Sequence, residues 1–212
     1  LGGDYDLVID TQRPEGYISF DNNPVNAETN TNLTVDFSES MATASAYILF
    51  AGGSTIETTS LVQGGELTWG LFVDVPPGND GYATITITGE DLAGNSITNA
   101  LTFGRDILRI DNTQPTFTLL SPVTGEYVNH SLVGYRLSET SFSGFVRWTR
   151  ISGTSDPNSP HNSSLTASEL EGLNTFSDYT LTNDPNNLVS GTTYSMTWLA
   201  TDSAGNISDN FI

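Results

Sequence analysis

The chain contains no cysteine and no lysine, and its six basic residues are all arginines. Without cysteine there is no disulfide framework, no thiolate catalysis and no cysteine-based zinc or iron–sulfur site. Without lysine there is no Schiff base, no phosphate-binding loop lysine and no Lys–Asn isopeptide crosslink. Positive charge is scarce, with 25 Asp and Glu against 6 Arg and a formal net charge of −19. Nucleic acid is therefore excluded as a partner, because phosphate binding needs a basic footprint. No apolar run approaches the roughly 18 residues of a membrane span. Leu1-Gly2-Gly3-Asp4 also lacks the basic and apolar regions of a signal peptide. The segment is expected to be soluble, with any targeting signal outside it.

The 212 residues are 36% hydrophobic and 15% charged, so Thr, Ser, Asn and Gly supply most of the polarity. That balance is not the signature of charge-driven disorder, and the length accommodates two domains of about 100 residues, each with its own core. Self-comparison supports two. Asp91-Leu92-Ala93-Gly94-Asn95 recurs as Asp202-Ser203-Ala204-Gly205-Asn206, an offset of 111. Phe37-Ser38-Glu39-Ser40 recurs as Leu137-Ser138-Glu139-Thr140 at 100, and Ile9-Asp10 with Gln12 and Pro14 recurs as Ile110-Asp111 with Gln114 and Pro115 at 101 for the Asp. Three landmarks in one order, with an insertion before the third, define two homologous units joined near Asp111.

The periodicity is that of strands. Tyr82 to Gly89 alternates Thr with Ala or Ile, and Tyr194 to Ala200 puts Tyr194, Met196, Trp198 and Ala200 on one face. Further runs are Asn32–Phe37, Ala46–Phe50, Leu67–Val75, Leu132–Leu137 and Phe145–Ile151, punctuated by Asn, Asp, Gly and Pro turns. Only Leu165 to Leu173 hints at a helical turn. The expected fold class is all-β, with two tandem immunoglobulin-like antiparallel sandwiches.

The Asp-x-Ala-Gly-Asn turns, the Phe/Leu-Ser-Glu segments and the Ile-Asp-x-x-x-Pro junction resemble tandem bacterial immunoglobulin-like repeats. Such repeats fill the stalks of large surface adhesins and other secreted proteins. The resemblance implies an extracellular spacer, stalk or adhesion module, and Ca²⁺ at domain junctions. Ca²⁺ seeks six to eight oxygens. The ligands so implied are Asp10, Asp91, Asn95, Asp111, Asp202 and Asn206, with Glu39 and Glu139 as additions. The same turns are complete without an ion: Asp91 and Asp202 accept backbone N–H groups in an Asx turn, and Gly94 and Gly205 supply positive φ. Likewise Glu39 and Glu139 read as solvated strand ends. No EF-hand loop or glycine-rich nonapeptide calcium repeat occurs.

Aromatics and histidines offer weaker leads. Trp198 aligns with Ile87 and Trp148 with Ile48, which marks core positions rather than a sugar platform, and Trp69 shares a face with Leu71, Val73 and Val75. Carbohydrate binding keeps the insertion from Asp156 to Asn162 as its location. His130 and His161 sit in polar, loop-like stretches without a metal-spacing motif or a nucleophile partner, so no enzymatic activity is expected. The four sequons, at Asn32, Asn129, Asn162 and Asn206, are roughly the number chance placement gives in a chain so rich in Asn, Ser and Thr.

The resulting division is 1–9 as an end strand or linker, 10–110 as the first domain and 111–212 as the second, with its last strand truncated. With Asp10 set against Asp111, Gly3 meets Gly104, Leu7 meets Leu108 and Ile9 meets Ile110. The head of the chain thus resembles the tail that the second unit lacks. Either residues 1–9 end a preceding repeat, or they are a strand donated to another copy. Both readings predict head-to-tail propagation, with Leu1, Gly3, Leu7, Ile9, Phe211 and Ile212 at the interface. Partners are then neighbouring copies or repeats, and in the adhesive alternative a surface glycan or protein receptor. A further alternative places the segment as accessory domains of a secreted enzyme.

Overall fold

The computed structural model describes residues 7–97, 107–172, 175–185 and 187–208. The chain divides into two units, Leu1–Asn112 and Thr113–Ile212. The described residues of both are β-strands and turns, without a helix.

The first unit contains β1 (Gly16–Phe20), β2 (Thr31–Phe37), β3 (Met41–Leu49), β4 (Thr55–Ser60), β5 (Val62–Gln63), β6 (Thr68–Val73), β7 (Gly81–Tyr82), β8 (Thr84–Asp91), β9 (Ser96–Ile97) and β10 (Arg109–Ile110). Sheets ordered β1-β2-β6-β5 and β4-β3-β8-β9 enclose one core, and β10 pairs with β7. The alternation that marks the strands in the sequence is what fills that core. Leu33, Val35 and Phe37 point inward from β2, while Ile85 and Ile87 of β8 lie against Ile48 and Ala46 of β3. Trp69 joins them from β6.

The second unit contains β11 (Phe117–Ser121), β12 (Val133–Leu137), β13 (Ser143–Gly153), β14 (His161–Ser164), β15 (Thr175–Tyr179) and β16 (Thr192–Thr201), in sheets β11-β12-β15 and β14-β13-β16. Trp198 lies at its centre, with ring centroids 5.3 Å from Phe117 and 4.9 Å from Tyr135. Trp148 and Trp198 are buried as their alignment with Ile48 and Ile87 requires. Met196, on the same face as Trp198, is only half-buried and packs against the core.

Strand register reproduces the sequence repeat. Seven consecutive pairs of β3 with β8, from Thr43–Glu90 to Leu49–Thr84, reappear in β13 with β16, from Ser143–Thr201 to Thr149–Ser195. Adding 100 to the first partner and 111 to the second converts each pair into its counterpart. The insertion therefore lies between two matching strands. Part of it lengthens the connection from β13 to β14, which His161 anchors. Contrary to the loop expectation, His161 is a buried strand residue whose Nε2 lies 2.6 Å from Asp156 Oδ2. Tyr194 donates its hydroxyl proton to the same oxygen at 2.5 Å, and Asn158 N–H donates to Oδ1 at 3.0 Å. Hydrogen bonds from Tyr194 and His161 hold the Asp156 carboxyl down at about 2, against the opposing effect of burial.

The expected helical turn is a single turn, with Leu170 N–H donating to the Thr166 carbonyl at 3.0 Å. Glu169 is 0% exposed, and its side chain caps the start of that turn. Its Oε2 accepts the Thr166 N–H and hydroxyl, each at 2.7 Å, and its Oε1 accepts the Thr182 N–H at 2.7 Å. Burial pushes this carboxyl up, but the bonds from Thr166 and Thr182 outweigh it and leave it below the ordinary glutamate value.

Candidate functional site

The entrance of the first unit brings Asp10, Glu39 and Asp91 together. One carboxylate oxygen of each lies within 4.8 Å of the others. Asp91 ends β8, and its 2% exposure reflects a filled Asx turn. Its Oδ1 accepts the Ala93 and Asn95 N–H groups, both at 2.8 Å, and its Oδ2 accepts the Asn95 amide at 2.8 Å. Gly94 closes the turn at φ 87°, where a side chain would be strained. The turn at Asp202 repeats this geometry, with Ala204 at 2.8 Å, Asn206 N–H at 2.9 Å and the Asn206 amide at 2.8 Å.

Electrostatics distinguish Asp91 from Glu39. Burial of Asp91 disfavours its charge, but bonds from the Asn95 side chain and the Asn95, Ala93 and Gly94 backbone prevail, so its carboxyl stays below the ordinary aspartate value. Glu39 moves the other way. Desolvation, then the charges of Asp10 and Asp91, raise its carboxyl above the ordinary glutamate value. Like charges crowded so closely favour either a proton on Glu39 or a cation among the three. Asn95 directs its amide nitrogen at Asp91 Oδ2 and, at 3.2 Å, at the Asp10 carbonyl. It therefore holds the acids in place instead of facing them with its own oxygen. Asn206 does the same for Asp202.

In the second unit the Glu139 and Asp202 carboxylate oxygens also lie within 4.8 Å of one another. Asp111, the sequence counterpart of Asp10, takes the Arg109 guanidinium at 2.9 Å. Leu7 and Ile9 are 82% and 78% exposed, whereas their counterparts Leu108 and Ile110 are 0% and 1% exposed. Leu1, Gly3, Phe211 and Ile212 lie outside the described residues.

The chain matches no protein-family model and no curated protein sequence. Two of the solved structures that it resembles are only weakly similar. A tetra-tandem repeat from the extending region of a large adhesion protein is 20% identical, with a TM-score of 0.33, over 93% of this chain and 48% of the other. The chicken CNTN1 FN1–FN3 domains are 9% identical, with a TM-score of 0.35, over 94% of this chain and 66% of the other. The chain thus spans about half the length of the first. TM-scores this low do not establish a shared arrangement.

One feature of the repeat escaped sequence reasoning. Ser38 N–H donates to the Glu15 carbonyl at 2.8 Å and its hydroxyl accepts the Glu15 N–H at 2.9 Å. Ser138 makes the same two bonds with Thr116, at 3.0 and 2.8 Å. The serine beside each glutamate thus fastens the segment entering its unit, and its recurrence at an offset of 100 was the available signal. A shallow, open depression of about 400 Å³, lined by Thr43, Ser45, Thr88 and Glu90 among others, contains no histidine.

Proposed function

We propose that the chain is an extracellular structural module of a stalk, adhesin or filament, joined head to tail to modules of its own kind. The observation that carries this reading is the contrast between Leu108–Ile110 and Leu7–Ile9. In the first unit, Ile110 pairs with Gly81 and bridges Val25 in parallel, and its side chain closes the core. The matching Leu7-Val8-Ile9 has the same apolar pattern but stands exposed. An exposed apolar segment with the pattern of a core strand is suited to completing the corresponding slot of a neighbouring repeat. The test is sedimentation velocity of the full chain against a chain lacking residues 1–9. Loss of self-association with both units still folded supports the reading; unchanged association sinks strand donation.

Ca²⁺ is the second part of the proposal. Asp10, Glu39 and Asp91 would hold it, and their closeness supports the assignment: desolvation first, then the charges of Asp10 and Asp91, raise the Glu39 carboxyl, and a divalent cation relieves the repulsive part. Glu139 and Asp202 are the second unit's own candidates for an equivalent pair of ligands. An ion bound only by the folded form stabilises it by mass action, about 2.7 kcal/mol at a hundredfold excess over Kd. Thermal melts that coincide in chelator and in millimolar Ca²⁺ would refute this part.

A further inference from the structure

We infer that the outer face of β13, β14 and β16 binds the carboxylate of an acidic sugar. The inference does not depend on calcium or on head-to-tail joining. These three strands carry Arg147, Arg150 and His161 but no Asp or Glu, in a unit whose sequence holds nine acidic residues and three arginines. Val146 and Trp148 point into the core, so Phe145, Arg147 and Thr149 face outward. Across the strands, Arg147 stands opposite Asn162 and Thr197, Phe145 opposite Ser164 and Leu199, and Thr149 opposite Ser195.

Arg147 is held ready for an anion. Its guanidinium lies over the Phe145 ring at 5.2 Å from the centroid, and its Nε donates to Asn162 Oδ1 at 2.8 Å. Stacking and the Nε bond fix the plane of the fork. The terminal nitrogens have no carboxylate partner among the described residues, and the side chain is exposed. Arg150, by contrast, is committed to its own hairpin, donating to the Thr154 and Gly153 carbonyls at 2.8 Å each. A planar fork with free terminal N–H groups accepts a carboxylate in two-point fashion.

The surroundings select the kind of carboxylate. Around the one fixed cation the face offers the amide of Asn162 and the hydroxyls of Ser164, Thr197, Thr149 and Ser195. One cation among neutral hydroxyl and amide groups complements a ligand with one carboxylate among many hydroxyls, which is the composition of a uronic or sialic acid residue. An acidic peptide presents no such hydroxyls, and the strongly negative remainder of the chain repels a polyanion. At the 100-residue offset the first unit has Ser45 and Tyr47 in place of Phe145 and Arg147, so the site belongs to the second unit alone.

The experiment is saturation-transfer NMR and calorimetry of the full chain with 3′-sialyllactose and galacturonate, each with a single carboxylate, using lactose and tetraglutamate as controls. Binding of at least one acidic sugar is expected, with a loss of tenfold or more in Arg147→Ala and a smaller loss in Asn162→Ala, which frees the fork. Arg147→Lys keeps the charge without the fork and should also bind more weakly than the wild type. Arg147 is exposed, so an unchanged melting temperature, calcium response and self-association should separate this site from the proposed structural role. Failure of both acidic sugars to bind, binding unaffected by Arg147→Ala, or equal binding of lactose or tetraglutamate overturns the inference.

Discussion

Two isoleucines in matching sequence positions should respond very differently to the same substitution. Ile110 is 1% exposed and completes the first core, whereas Ile9 is 78% exposed. Truncating a buried isoleucine to alanine removes its transfer free energy and leaves a cavity, together about 2–5 kcal/mol. For a unit of roughly 100 residues each kcal/mol moves the melting temperature by about 4–8 °C, so a central cost of ~3 kcal/mol lowers it by about 12–24 °C. Ile9→Ala, lacking buried contacts within its own chain, should stay within ~0.5 kcal/mol. Calorimetry at low protein concentration, paired with hydrogen exchange of peptides from each unit, assigns the change to the first unit. At high concentration Ile9→Ala should weaken self-association while Ile110→Ala acts on folding. If the two substitutions destabilise the isolated chain equally, or if Ile110→Ala costs less than 1 kcal/mol, the reasoning from burial fails.

Glu39→Gln should raise the melting temperature in chelator, since it removes one of three crowded charges, and should abolish the increment from millimolar Ca²⁺; calorimetric titration reads both. The Asp156 carboxyl sits at about 2, below its ordinary value, so its contribution is complete above about pH 4 and disappears as pH falls toward 2. In Asp156→Asn the acid slope of the second unit's melting temperature between those limits should flatten, and an unchanged slope would remove Asp156 as its source. Trp198→Ala should cost about 3–5 kcal/mol in the second unit. Trp198→Phe should cost less, because the buried indole N–H has no hydrogen-bond partner and its removal relieves a desolvated donor; denaturant melts distinguish the two.

Strands with one buried face were legible because burial imposes period two. In β8, Ile85 and Ile87 alternate with Thr84, Thr86 and Thr88, and the pattern survives in the structure. β4 has almost every residue exposed, so no contrast marks it in the sequence. His161 was misread for a different reason. Its neighbours Pro157, Asn158, Ser159 and Pro160 are turn formers, and its burial comes with the Asp156 bond and the ring contact with Tyr194, whose hydroxyl reaches the same Asp156 oxygen across 38 residues. The acids at the first entrance were visible as a repeat, but their mutual distance and the Ser38 clip depend on tertiary structure. Arg147 gave no sequence signal at all, since its significance lies in the absence of acids from three strands that only the fold makes adjacent.

The parallel bridge at the end of the first unit has a mechanical consequence. Val25 N–H donates to the Arg109 carbonyl at 3.0 Å and Asp111 N–H donates to the Val25 carbonyl at 2.9 Å. The chain enters the unit ahead of Val25 and leaves it after Ile110. Once β1 has been pulled away from β2, tension on the two ends drags these parallel segments past one another along their length. Both bonds load at once, in shear, and neither can open by peeling before the other. Beyond β1, resistance to pulling is thus borne where the last strand meets the first loop, beside the core positions of Leu108 and Ile110.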